Sequence, residues 1–181
     1  VRGIPRLDRP SILVANHASH IDTAAIFAAL PISEVSRVRT AAARDTIYAL
    51  PRPLVAAIEF LFNTYAFERK GKSTDSLERG AAAIREGSHL ILFPEGRRND
   101  GGFLGFTPGF AKIAYETGAP VVPVRITGAH RALPRGSTYV QHRPMEVTFR
   151  EPVEADRTVP YDRRREAYAR LVRDAEAALC A

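Results

Sequence analysis

Cysteine is almost missing from this sequence: Cys180, next to the last residue, is the only one. No internal disulfide and no cysteine-based metal site can form, and a reducing cytoplasm is the expected setting. Long apolar runs are missing too. The longest, such as Thr23 to Pro31, fall far short of the roughly 20 residues that span a bilayer, so no transmembrane segment is predicted. Lysine is scarce: Lys70, Lys72 and Lys112 are the only three, and arginine supplies nearly all of the 26 basic residues. No start methionine or signal-like segment precedes Val1, so a piece of a longer protein is expected.

What is present fits a globular domain. With 181 residues, 45% hydrophobic and 25% charged, the chain predicts one domain over 1–181 with a full core and no disordered tract. A net charge of +6 favours acidic partners: phosphate-bearing substrates, an anionic lipid surface, an acidic carrier protein or nucleic acid. Guanidinium groups suit bidentate phosphate contacts, although a GC-rich genome explains an arginine bias as well. Nucleic acid is set aside, because no recognition motif accompanies the basicity.

Apolar, β-branched runs alternate with segments of helical period, the pattern of an α/β fold with a mostly parallel central sheet covered by helices. Strands are predicted at Ile12 to Ala15, Val38 to Ala42, Thr64 to Phe67, His89 to Phe93, Val121 to Ile126 and Met145 to Phe149. Helices are predicted at Asp22 to Leu30, Leu50 to Leu61, Thr74 to Arg85 and Phe110 to Thr117, with Gly87 and Gly118 as C-terminal caps. Tyr161 to Leu179 reads as a final amphipathic helix with a solvated, arginine-rich face. A loop runs from Asp100 to Gly109.

Three polar clusters follow predicted strands. In Asn16-His17-Ala18-Ser19-His20-Ile21-Asp22, a hydroxyl three residues before an acid matches a capping box, with Ser19 as the helix cap and Asp22 in the first turn. Within one helix, a histidine and an aspartate five apart would point about 140° apart. If the helix starts after His17, that residue can instead fold back onto Asp22. The carboxylate would then fix the imidazole tautomer and leave its other nitrogen a base near neutral pH. Ser19 as a covalent nucleophile is the lesser reading, because a cap accounts for it. In Leu90 to Asn99, a strand stops at Pro94 and turns through Gly96 into Arg97 and Arg98. Glu68, Arg69 and Lys70 follow a third strand in the same way. Each cluster alone is also what a solvated turn looks like. Together they would meet at the carboxyl edge of one parallel sheet, where ligands of open α/β folds bind. His20 is expected either to face solvent or to stand behind the dyad. His89, His130 and His142 lack ligand-like spacing and are expected to be structural.

These residues resemble the glycerolipid acyltransferase family, which includes 1-acylglycerol-3-phosphate acyltransferases. Its NHxxxxD block is similar to Asn16 to Asp22, its FPEG block to Phe93-Pro94-Glu95-Gly96 followed by Arg98, and its Val-Pro block to Val122-Pro123-Val124. The remaining block keeps Arg69 but has Asn63 and Ala66 for the common glycine and phenylalanine. Arg97 stands for the usual threonine after FPEG, and Thr107 where a basic residue is often found. The resemblance implies transfer of a fatty acyl group from an acyl-CoA or acyl-carrier-protein thioester to a lysophospholipid hydroxyl, without metal, cofactor or covalent acyl-enzyme. It implies His17 as general base, Asp22 as its orienting partner, Glu95 and Gly96 shaping the acceptor site, and Arg69, Arg97 and Arg98 holding phosphate. Backbone N–H groups near the FPEG turn would face the oxyanion. A peripheral position on the anionic inner face of the cell membrane follows. Two alternatives are the same chemistry on a non-phospholipid alcohol or amine, and a noncatalytic basic module on anionic membranes or a carrier protein.

Overall fold

The computed structural model describes residues 1–3, 7–43, 51–67, 73–99, 103–137 and 139–181. Six strands form one sheet: β1 (Ile12–Ala15), β2 (Val38–Ala43), β3 (Thr64–Phe67), β4 (His89–Leu92), β5 (Val121–Thr127) and β6 (Glu146–Phe149), in the order β3-β2-β4-β1-β5-β6. Every neighbouring pair is parallel except β5 with β6. This is the α/β architecture expected from the alternating pattern.

The helices are α1 (Asp22–Ala29), α2 (Ile32–Val35), α3 (Arg52–Phe62), α4 (Ser73–Arg85), α5 (Gly109–Thr117), α6 (Ala129–Ala132) and α7 (Arg164–Cys180), the last preceded by a 3₁₀ turn at Tyr161–Arg163. The single turns α2 and α6 were not expected, because four residues are too short to show a period; the 3₁₀ turn opens the helix predicted from Tyr161. Four predicted strand ends also move by one residue, β2 and β5 extending to Ala43 and Thr127. Phe93 leaves β4 because its carbonyl accepts the Gly96 N–H at 3.1 Å, closing a turn through Pro94, and Met145 stays outside β6.

The central strands are buried on both faces, which is why they read as unbroken apolar runs rather than alternating ones. Period-two geometry divides them between two cores. Ile12 and Val14 of β1, with Leu90 and Leu92 of β4, pack beneath α4, α5 and α7 through Ala81, Ile84, Phe110, Ile113, Leu171 and Ala175. Leu13 and Ala15, with Ile91, Val122 and Val124, face the other way onto Ile26, Leu30, Val147 and Phe149. The connection leaving β1 therefore crosses one face through α1, and the connection leaving β4 crosses the opposite face through α5. Adjacent parallel strands whose connections diverge in this way leave a crevice beyond their carboxyl ends.

Pro123 sits inside β5, where a missing N–H would normally break a ladder. It stands at the end of the β6 pairing, and its carbonyl still accepts the Arg150 N–H at 2.9 Å. Asn63 ends α3 in the left-handed region at φ 44 and donates to Val38 O at 3.2 Å. Asparagine, after glycine, is the residue that accepts this conformation most readily. The departure from the family glycine at this position thus has a backbone explanation.

His89 is structural, as expected. Its ring is fully buried; Nδ1 accepts the Ser11 N–H at 3.2 Å, so the proton must sit on Nε2, which donates to Glu34 Oε2 at 3.1 Å. Burial pushes this imidazole below its ordinary value of 6.5, against the opposing pull of Glu34. The unfolded chain therefore takes up a proton near pH 6.5 that the folded chain refuses, and stability falls as pH drops below that point. Urea midpoints at pH 7.5 and 5.5 are expected to show a loss that shrinks in His89→Gln; an equal loss in both proteins would remove His89 as its source.

Candidate active site

β1 stops at Ala15 because the next residue pairs with β5 through its side chain. Asn16 Nδ2 donates to Ile126 O at 2.9 Å, and its Oδ1 accepts the Ile126 N–H at 2.7 Å. The amide thus takes the place of a backbone unit in the ladder and frees the main chain to turn out of the sheet at His17. Removing it leaves two buried backbone groups of Ile126 without partners. Asn16→Ala is expected to lower stability by about 1–3 kcal/mol, read from denaturant midpoints; an unchanged midpoint would show that the turn holds itself.

The turn then closes around one carboxylate. Asp22 is wholly buried, and its Oδ2 accepts from the Ala18 N–H at 2.7 Å, the Ser19 N–H at 2.8 Å and His17 Nδ1 at 2.9 Å. Asp22 is the first residue of α1, where the helix dipole favours a negative charge. The capping box is a correction. Ile21 occupies the N-cap position with no side-chain cap, and Ser19 is buried with its Oγ donating to Leu133 O at 2.9 Å. Asp22 reaches backward to organise the loop, instead of Ser19 reaching forward to organise the helix.

The His17 ring, 17% exposed, stacks on Phe93 with centroids 4.3 Å apart. Donation of the Nδ1 proton to Asp22 leaves Nε2 as the basic nitrogen. Glu95 secures the same loop from the β4 side. Its Oε1 accepts the His17 N–H at 3.0 Å, while Oε2 accepts from Asn99 Nδ2 and from the Leu104 N–H at 3.3 Å. Asn99 N–H donates in turn to His17 O at 2.9 Å. Both carboxylate oxygens of this buried residue are therefore committed within the protein, so any shaping by Glu95 acts through the backbones it holds.

Gly96 makes the sharp turn at φ 71, and Arg97 and Arg98 follow it, Arg97 exposed and Arg98 half-buried. Neither has a carboxylate partner among the described residues. Arg98 lies close enough to His20 to be felt there: desolvation first, then the Arg98 charge, then His17, hold His20 below its ordinary value, against the pull of Asp22. The loops after β1 and β4 thus bring imidazole, carboxylate and guanidinium together at one edge. Arg69, expected to join them, lies outside the described residues, as do Glu68, Lys70 and the 100–102 turn.

Thr107 braces the turn. Its Oγ1 and N–H both bond to Pro94 O, at 2.8 and 2.9 Å, tying the 103–107 segment to the turn. His130 and His142 differ from expectation as well. His142 is exposed, and His130 lines an open pocket instead of the core. Asn16 and Phe93 were quoted only as members of their blocks. Their roles depend on partners 110 residues away for Asn16 and on ring stacking for Phe93, neither of which spacing reveals.

Residues 1–127 match the family model described as Acyltransferase. Two curated relatives named 1-acyl-sn-glycerol-3-phosphate acyltransferase are similar. That of Cocos nucifera is 33% identical over 150 residues, covering 81% of this chain and 46% of the relative. That of Limnanthes alba is 29% identical over 160 residues, covering 86% and 54%. The chain thus spans about half the length of these relatives. The crystal structure of the 1-acyl-sn-glycerophosphate acyltransferase PlsC from Thermotoga maritima superposes with a TM-score of 0.67 at 26% identity, covering 96% of this chain and 68% of that one.

Proposed function

The chain belongs to the acyltransferase family, and on that premise we propose that it moves a fatty acyl group from an acyl-CoA or acyl-carrier-protein thioester to a hydroxyl of a lysophospholipid such as 1-acylglycerol-3-phosphate. The observation that carries this reading is the 2.9 Å bond between His17 Nδ1 and Asp22 Oδ2, beside a turn that presents Arg97 and Arg98. His17 Nε2 accepts the proton of the acceptor hydroxyl as its oxygen attacks the thioester carbonyl. Asp22 holds the ring in the required tautomer and stabilises the imidazolium that forms. The tetrahedral intermediate collapses with cleavage of the carbon–sulfur bond, and the imidazolium returns its proton to the departing thiolate. Arg97 and Arg98, with Arg69, hold the acceptor phosphate, and N–H groups of the FPEG turn face the developing oxyanion.

Peripheral docking on an anionic membrane fits a basic protein with greasy substrates. Among the described residues, no helix is long and apolar enough to cross a membrane. A non-phospholipid acceptor would rest on the departures at Asn63, Ala66 and Thr107 from the family blocks. Asn63 and Thr107 now have backbone roles that say nothing about the acceptor.

The test offers acyl-CoA and acyl-carrier protein in turn, with 1-acylglycerol-3-phosphate or monoacylglycerol as acceptor, and reads products by mass spectrometry. Acylation with a marked preference for the phosphate acceptor is expected. Preference for monoacylglycerol would move the acceptor assignment, and vesicle binding without turnover would replace the enzyme by a docking module.

A further inference from the structure

The segment after β5 carries a feature that neither the dyad nor the arginine turn uses. From Gly128 to Met145 the sequence has no aspartate or glutamate, yet it holds His130, Arg131, Arg135, His142 and Arg143. None of the five makes an ion pair among the described residues. His130, Arg131, Pro134, Gln141, Arg143 and Pro144 line a cavity of about 500 Å³ that opens to solvent.

Its walls are held in place. In α6, the Arg131 and Ala132 N–H groups both donate to Gly128 O at 3.0 Å, and the Gln141 N–H donates to Ala132 O at 2.7 Å, drawing the far wall against the helix. Gly128 lies at φ 83, and a Cβ there would stand 2.3 Å from Pro144 O, so only glycine permits this approach. The bond from Ser19 Oγ to Leu133 O ties the rim to the loop that bears His17.

The volume falls within the roughly 300–1,000 Å³ of small-molecule sites and exceeds what a lone phosphate fills. Unpaired guanidiniums and an imidazole select a ligand with several negative charges. Position narrows the choice. β4 and β5 flank β1 on opposite sides, so this pocket and the Arg97–Arg98 turn lie on either side of the dyad loop. Acyl transfer brings two substrates to one imidazole, and a coenzyme A donor carries its phosphates on a nucleotide at the end of a long flexible arm.

We infer that the pocket between α6 and residues 141–144 binds the phosphorylated nucleotide of an acyl-CoA donor, with Arg131 and Arg143 as its phosphate ligands; this rests on the acyl-transfer reading above. Both arginines are exposed, so their replacement leaves the core untouched.

Two readouts test it. Titration with adenosine 3′,5′-bisphosphate, which requires no turnover, is expected to show binding that weakens about ten- to hundred-fold in the double variant Arg131→Glu, Arg143→Glu. In steady-state assays the same variant is expected to raise KM for acyl-CoA by a similar factor, with KM for the lysolipid little changed. Removing the nucleotide from the donor, by using acyl-pantetheine, and removing the arginines from the protein are expected not to add. Bisphosphate captured by a chain that transfers no acyl group supports the pocket while failing the reaction. Undiminished bisphosphate affinity in the variant, no binding to the wild-type chain, a rise confined to KM for the lysolipid, or loss of anionic-vesicle binding with KM for acyl-CoA intact would each overturn the assignment.

Discussion

Replacing His17 with alanine is expected to lower kcat by about 10²–10⁴, the range a positioned general base contributes, while the fold survives. The two effects are separable because the loop does not depend on the imidazole. Its bends are held by Ala18 N–H and Ser19 N–H on Asp22, by the His17 backbone N–H on Glu95, and by Asn16 on Ile126. What the variant loses is the proton acceptor and the ring stacked on Phe93. Denaturant midpoints should move much less than kcat, and KM for either substrate should stay near wild type, because in the proposed mechanism the imidazole acts on the reacting hydroxyl and not on the phosphates. Wild-type turnover by His17→Ala would remove the general base from the mechanism.

The second large effect belongs to Asp22→Asn, for a different reason. Asp22 Oδ2 accepts three donors, whereas Oδ1 is buried and makes no hydrogen bond among the described residues. An asparagine can turn its oxygen toward the three donors and leave an unsatisfied NH₂ in the Oδ1 position, at a cost of about 1–3 kcal/mol. The reverse rotamer would aim an NH₂ at two backbone N–H groups. The first rotamer keeps the shape of the loop but withdraws the charge that stabilises the imidazolium, so kcat is expected to drop by about 10²–10⁴. The pH–rate profile should shift with it. Asp22→Ala is expected to be the less stable variant, because it strands both backbone N–H groups. If Asp22→Asn kept the wild-type kcat and pH profile, the carboxylate would be a loop brace with no part in proton transfer.

The sheet was most legible where its strands are buried on both faces, as Ile12–Ala15 and His89–Leu92 are, or bounded by proline and glycine, as Val121–Thr127 is. The dyad was legible in composition, since His17 and Asp22 sit five apart behind a strand, but its construction was not. The capping box assigned to Ser19 the ordering role that Asp22 performs, because a local pattern cannot register that Leu133, 114 residues later, takes the serine hydroxyl. The bracing by Glu95 was hidden for a similar reason: only tertiary contacts disclose that Asn99, Leu104 and the His17 backbone use up its oxygens. Short elements such as Ala129–Ala132 escaped notice altogether, and with them the pocket they form.

The Glu95 brace separates two properties that a mutating lineage must otherwise change together. Arg97 and Arg98, the groups proposed to hold the acceptor phosphate, follow a turn whose course is set by an inward-facing carboxylate. Exchanging those side chains leaves in place the bonds from Glu95, Asp22 and Asn16 that fix the His17 loop. On the proposed mechanism, acceptor preference could drift across descendants of this protein while the His17–Asp22 pair is inherited intact.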